Sequence, residues 1–190
     1  TTLETVGDLS SLKEIPYEAF DGCTSLVSIG DLNNVESIAN EAFSNCSALE
    51  HVDKLDKITS IGSLHNLETI GQGAFSGCSA LEHVDDLYSL TRLEYDVFSH
   101  CVSLISVDCS DKLTAIGSSA FFGCKALVSI GDLSNVTSIE SSVFRGCIAL
   151  KSIGNMPKLE SIGMQCFMGC TALETVGDLS SLKEIPYEAF

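Results

Sequence analysis

Apolar side chains recur at every third position over long stretches of this chain, as at Leu26, Ile29, Leu32, Val35 and Ile38, before a longer step to Phe43 and Cys46. Such a step fits neither an amphipathic helix, whose apolar face returns about every 3.6 residues, nor a half-buried strand, whose period is about two. Short extended pieces joined at corners produce it. The stretches 26–29 and 35–38 are each expected to form a brief strand, with Gly30 and Asp31 turning the chain between them. The segment 40–45 reads as one helical turn that points Ala42, Phe43 and Cys46 inward together. A coil with three such sides cannot bury its apolar face alone, so coils must stack.

The pattern repeats along the whole chain. Cys23, Cys46, Cys78, Cys101, Cys124, Cys147 and Cys170 mark units of 23 residues, except for one of 32 between Cys46 and Cys78. The expected fold is a solenoid, a coil of short parallel strands with one helical turn per 23-residue repeat. Stacking in phase places Phe20, Phe43, Phe75, Phe98, Phe121, Phe144, Phe167 and Phe190 in one column and the seven cysteines in another. A coarser repeat is superimposed: residues 171–190 match residues 1–20 at all positions but one, where Ala172 replaces Thr2. Residues 1–190 therefore read as one continuous solenoid, a 170-residue cassette plus the first 20 residues of the next. With coils about 4.8 Å apart, the seven coils of a cassette advance by about 34 Å.

Segments such as 136–150 (VTSIESSVFRGCIAL) and 113–124 (LTAIGSSAFFGC) resemble the BspA-like (treponemal-type) leucine-rich repeat family. The likeness covers the entire chain and departs in one place. Members usually carry an L-x-x-I-x-I-P strand; only the coil with Leu104, Val107 and Cys109 comes close, and the others insert Gly-Asp and delay the next apolar residue by one. The resemblance implies a secreted or surface-displayed protein acting in adhesion or recognition, with no catalysis and no cofactor.

Composition narrows the class further. A formal charge of −16 argues against nucleic acid or an anionic membrane as partner, since both are bound through Lys and Arg. Arg92 and Arg145 are the sole arginines. No apolar run approaches the roughly 20 residues of a membrane-spanning helix. Thr1 falls inside a repeat, so the natural start is expected elsewhere. No nucleophile with a base, phosphate-cradling loop or metal triad stands out, and catalysis is not expected.

Several features are candidates for function. The nine extra residues of the 32-residue unit, around 47–78, keep the three-residue spacing and would project a spur bearing Lys54, Asp56, Lys57, His65 and Asn66. That spur reads either as a tolerated loop or as a contact repeated in every cassette. In the column after the phenylalanines, Phe122, Arg145 and Met168 interrupt a small polar row, with Ile148 and Met164 nearby. They form a candidate lateral interface, or else fold down onto the solenoid. The cysteines, with Cys109 and Cys166 at other inward positions, read as buried free thiols, because side chains stacked in phase point parallel instead of converging on a disulfide. Asp8, Asp31, Asp86, Asp132 and Asp178 share a corner column, with Lys54, Cys109 and Asn155 in the other coils. They read as caps of turn amides, with calcium as the sharper alternative. His51 and His83 share a column, two residues before Asp53 and Asp85, and read as solvated in preference to a metal pair; no metal site is assigned. Asn45 and Asn135 head acceptor tripeptides for N-glycosylation, Asn135 being better placed.

Near-identical ends, and the lack of recognisable polar caps, favour an extracellular or surface fibre or adhesin whose cassettes stack end to end on copies of themselves, within one chain or by docking, with lateral contacts as a further option. A monomeric ectodomain recognising a host or cell-surface protein or glycan through one solenoid face is the alternative. The matching ends are also compatible with an artificial duplication.

Overall fold

The computed structural model describes residues 1–30, 32, 34–49, 51–52, 68–109 and 111–190. Over these the chain winds as a β-solenoid with two rows of short parallel strands. Thr5–Val6, Ser28–Ile29, His51–Val52, His83–Leu87, Ser106–Cys109, Ser129–Ile130, Ser152–Ile153 and Thr175–Val176 form the first row. Glu14–Ile15, Ser37–Ile38, Thr69–Ile70, Arg92–Leu93, Ala115–Ile116, Ser138–Ile139 and Ser161–Ile162 form the second. Each pair is in repeat register: Ile29 lies between Val6 and Val52, and Ile116 between Leu93 and Ile139. At most of the described steps a polar residue precedes an inward apolar one, Ala115 being an exception, which is why the step of three appears in the sequence.

The strands are shorter than the sequence suggested. Most are two residues long; in the first row a glycine corner turns the chain away at once, as where Gly30 follows Ser28–Ile29. Where that corner is missing, pairing runs on through five residues at His83–Leu87 and four at Ser106–Cys109. Leu87 pairs with Cys109, and the register shifts between Val84 and Leu87. The coil at 83 spends one more residue than its neighbour before the next inward side chain, and the bulge absorbs it.

The third side corrects the expected helical turn, since no helix is present among the described residues. The segment 40–45 is a run of tight turns in which Glu41 and Asn45 both sit at φ 55°. Left-handed residues four apart break any α-helical path. The amides alternate instead. Ala42, Ser44 and Cys46 donate back three residues to Ala39, Glu41 and Phe43, while Glu41, Phe43 and Asn45 donate to Gln72, Ala74 and Ser76 of the next coil. The same alternation recurs at Asp96, Phe98 and His100, which donate to Ser118, Ala120 and Phe122. All three sides are thus hydrogen-bonded from coil to coil, which leaves few backbone groups to be satisfied by an internal helix.

Inside, Phe43, Phe75, Phe98, Phe121 and Phe144 are fully buried. Successive rings from Phe20 to Phe190 stack with centroids 5.2–5.7 Å apart and planes within 17°. The column is unbroken across the 32-residue unit, where Phe43 and Phe75 lie 5.3 Å apart and Ser37 pairs with Thr69. The added residues leave the flanking coils in phase.

Candidate interaction surfaces

The cysteine column has a second use beyond filling space. From Cys46 onward, each thiol of the column donates to the carbonyl of the phenylalanine one coil earlier: Cys46 to Phe20, Cys78 to Phe43, Cys101 to Phe75, Cys124 to Phe98, Cys147 to Phe121 and Cys170 to Phe144, at 2.9–3.2 Å. A small apolar group that also carries one proton fits this position better than Ala or Val. All nine cysteines are free, and all but Cys170 are buried. Burial pushes the Cys46 and Cys124 thiols up to about 12 and the half-buried Cys170 up to about 11. Such thiols are inert. Cys166 occupies the column before the phenylalanines, where Ala42, Ala74 and Ala120 stand in other coils.

At the corner, Asp8, Asp132 and Asp178 accept the amides of Ser10, Ser134 and Ser180, two residues on, at 2.7–2.8 Å. This bond holds the Asp132 carboxyl below its ordinary range. The carboxylates therefore face their own turns. Among the described residues no group of three His, Cys, Asp or Glu side chains converges as a metal site would require. Asp31 and Asp53 lie outside the described residues, as do the whole spur (Lys54, Asp56, Lys57, His65 and Asn66) and the side chains of His51, Asp85 and Asp86. His83 Nδ1 lies 2.8 Å from Ser106 Oγ. Asn135 is half-buried, and its amide nitrogen donates to Asp111 O at 2.7 Å while its oxygen accepts from Lys158. Asn34 makes the equivalent bond to Ser10 O at 2.7 Å. The Asn45 amide nitrogen is exposed and reaches Asp21 Oδ1 at 3.3 Å and Ser44 Oγ at 3.1 Å. Both acceptor asparagines thus serve coil-to-coil bonds.

Of the candidate lateral set, the structure brings together Phe122 and Arg145, both half-buried. The Arg145 guanidinium lies 5.8 Å from the centre of the Phe122 ring, and His100 meets that ring edge-on at 5.0 Å. Arg145 also donates to Gln165 at 2.9 Å, and Gln165 to Glu188 at 2.7 Å. These side chains run along the solenoid as a ladder over successive coils. Met168 is half-buried in the same column, whereas Ile148 and Met164 stand exposed in other columns. Met164 shares its column with the exposed Tyr17, Tyr95 and Tyr187.

Two features escape a reading of single repeats. Arg92 reaches past one whole coil to pair with Glu140 at 2.5 Å, over the small Ala115, and Glu140 also accepts from the Ser118 amide and hydroxyl at 3.0 and 2.9 Å. Arg92 holds the Glu140 carboxyl below its ordinary range. Ala115 in a column of larger polar residues was the available signal. The second feature is the exposed pair Ile105 and Val128, on adjacent coils four residues after a cysteine, followed in the same column by Lys151.

The two copies of the duplicated twenty residues stand in different surroundings. Ile15 is fully buried under the coil that follows it, whereas its twin Ile185 is 65% exposed. Phe20 is half-buried and its twin Phe190 is 53% exposed. Lys13 pairs with Glu36 of the following coil, and Lys183 with Glu160 of the preceding one.

The family model described as the BspA type leucine-rich repeat region matches six copies over residues 1–65, 57–174 and 137–190. Among solved structures, a leucine-rich repeat protein from Eubacterium ventriosum is similar with a TM-score of 0.74 and 20% identity. That match covers 96% of this chain but 44% of the other, so the chain spans less than half the length of that relative. The leucine-rich repeat protein of T. pallidum is similar with a TM-score of 0.54 and 27% identity over 78% of each chain. No curated protein matches the sequence.

Proposed function

This chain belongs to the BspA-type leucine-rich repeat family, and from that premise we propose that it is a non-catalytic structural or adhesive protein of the cell surface, whose cassettes stack end to end into an extended rod. Residues 1–190 act as one continuous solenoid in this reading, and copies of the cassette are its first partners. The observation that carries it is the unbroken phenylalanine column from Phe20 to Phe190, with coils in phase up to both end coils. A stack of like coils has no intrinsic length limit, and its two ends are its adhesive surfaces. The polar side chains described above cap turns or bridge coils, which supports a scaffold role.

Immunogold labelling of intact cells of the source organism, together with negative-stain electron microscopy of the purified full-length protein, tests the proposal. Surface label and rods whose length grows by about 34 Å per cassette are expected. Label confined to the cell interior, or compact particles from a multi-cassette protein, would overturn it.

A further inference from the structure

The column that carries the exposed tyrosines holds a second chemistry between two of them. On successive coils it reads Tyr17, Asn40, Gln72 and Tyr95, all exposed, whereas the coils that follow put Ser118, Ser141 and Met164 there. Beside it, Tyr17, Asn40, Glu14 and Glu94 line a recess of about 560 Å³, with the small residues Ala39 and Gly71 between its ends. The recess lies on the side wall of the solenoid and not on an end face, since Glu14 and Thr69 of its lining are outward positions of second-row strands. At Gly117, the next small residue in the column of Ala39 and Gly71, the equivalent space is taken: Arg92 pairs with Glu94 on one side and with Glu140 on the other. Two small residues in succession leave an opening there that one does not.

We propose that this recess binds an uncharged oligosaccharide, with Tyr17 and Tyr95 packing on sugar rings at its two ends and Asn40, Gln72 and Glu14 bonding to hydroxyls between them. The Tyr17 hydroxyl donates to Glu18 and the Tyr95 hydroxyl to Asp96, which ties down the polar end of each ring and leaves its faces for packing. Asn40 Oδ1 already accepts from the Gln72 backbone amide at 2.9 Å, so Asn40 offers its N–H donors, while Glu14 offers only acceptors. A pyranose makes matching demands, with a C–H face that packs on an aromatic ring and a rim of hydroxyls that both donate and accept. The two tyrosines stand three coil steps apart, about 14 Å, the reach of a short oligosaccharide. An anionic ligand would face Glu14, Glu18, Glu94 and Asp96 with Arg92 already committed to its own pairs, and is repelled. A compact cation meets only one end, because Glu14 and Glu94 belong to coils as far apart as the tyrosines. The site adds a ligand to the rod proposed above and does not depend on it.

Saturation-transfer NMR on the 190-residue protein tests the site, using maltotriose, cellotriose, mannotriose and chitotriose, with sialyllactose and trilysine as charged comparisons. At least one neutral trisaccharide is expected to bind, with saturation strongest on its ring C–H protons, and to bind more tightly than either charged probe. Tyr17→Ala and Tyr95→Ala should each weaken that binding by about tenfold or more, and Tyr17→Phe should retain it. Tyr187→Ala, in the same column but outside the recess, should leave it unchanged. Urea midpoints of these variants should match that of the wild type, because the substituted side chains are exposed. No signal from any neutral trisaccharide, tighter binding of sialyllactose or trilysine, or binding that survives both Tyr17→Ala and Tyr95→Ala would overturn the site. Any of these results leaves the rod reading to its own microscopy.

Discussion

At the scale of single residues, the thiol that bonds back to the phenylalanine carbonyl of the preceding coil makes definite demands. Cys124→Ala removes both the proton that Phe98 O accepts and a buried sulfur, and is expected to cost about 1–3 kcal/mol in urea unfolding. The same thiol sets a pH dependence. Its folded pKa is raised to about 12 against about 8.5 in the unfolded chain, so the unfolded state releases its proton first as pH rises. The contribution is fully present below about pH 8.5 and is lost as pH climbs toward about 12, and the column should act in concert. A thermal midpoint that falls steadily from pH 9 upward in wild type, and less steeply in Cys124→Ala, is the expected result. Asn45 illustrates how a column adds to what a residue's own repeat says. It heads a glycosylation tripeptide, but it sits at φ 55° in a column that holds Gly77, Gly123 and Gly146 in other coils. Asn tolerates that conformation better than other non-glycine residues. Asn45→Gly should be near neutral and Asn45→Ala should cost about 1–2 kcal/mol, measured by chemical denaturation.

At the scale of the coil, two of the three sides were legible and the third was legible only in part. The step of three apolar residues follows directly from strands two or so residues long, and the Gly-Asp corners mark where they end. The turn side shares its inward Ala42, Phe43 and Cys46 with a helix, so the apolar pattern does not separate the two. What decides is the left-handed conformation at Glu41, Ser119, Ser142 and Gln165, residue types that carry no local signal for it. The glycines four positions after Ser119, Ser142 and Gln165 were the available clue, visible only once the coils are aligned and the column is read downward. Because this side is laddered as well, each coil is held to its neighbours all the way round. Phe121 lies at the centre of that arrangement, stacked on Phe98 and Phe144 at 5.7 and 5.6 Å. Phe121→Ala is expected to cost about 3–5 kcal/mol, whereas Phe190→Ala, at a half-open end, should cost much less. Equal losses at the two sites would mean that the column is not the shared core it resembles.

At the scale of the whole molecule, coils stabilise one another only through nearest neighbours, so stability should grade along the axis. Amide exchange is expected to be slowest around residues 98–150, where coils are flanked on both sides, and fastest in 1–20 and 171–190. The kinship of those two segments was plain in the sequence, but the contrast between Ile15 and Ile185 was not, because burial depends on which neighbour is present and not on the residue. Charge acts on the same axis. Stacking in phase repeats acidic columns at coil spacing, and among the described residues the formal charge of −16 is offset by few cross-coil pairs, such as Arg92 with Glu140 and Lys183 with Glu160. Exposed pairs of this kind contribute little each, so self-repulsion between coils should exceed them at low ionic strength. Raising salt from about 0.01 M to about 0.15 M shortens the screening length from about 30 Å, nearly the full height of a cassette, to about 8 Å, less than two coil steps. The thermal midpoint is therefore expected to rise over that interval and then to level off, since further screening acts only on contacts between adjacent coils. A midpoint that falls with added salt would mean that the cross-coil ion pairs outweigh the repulsion among the acidic columns.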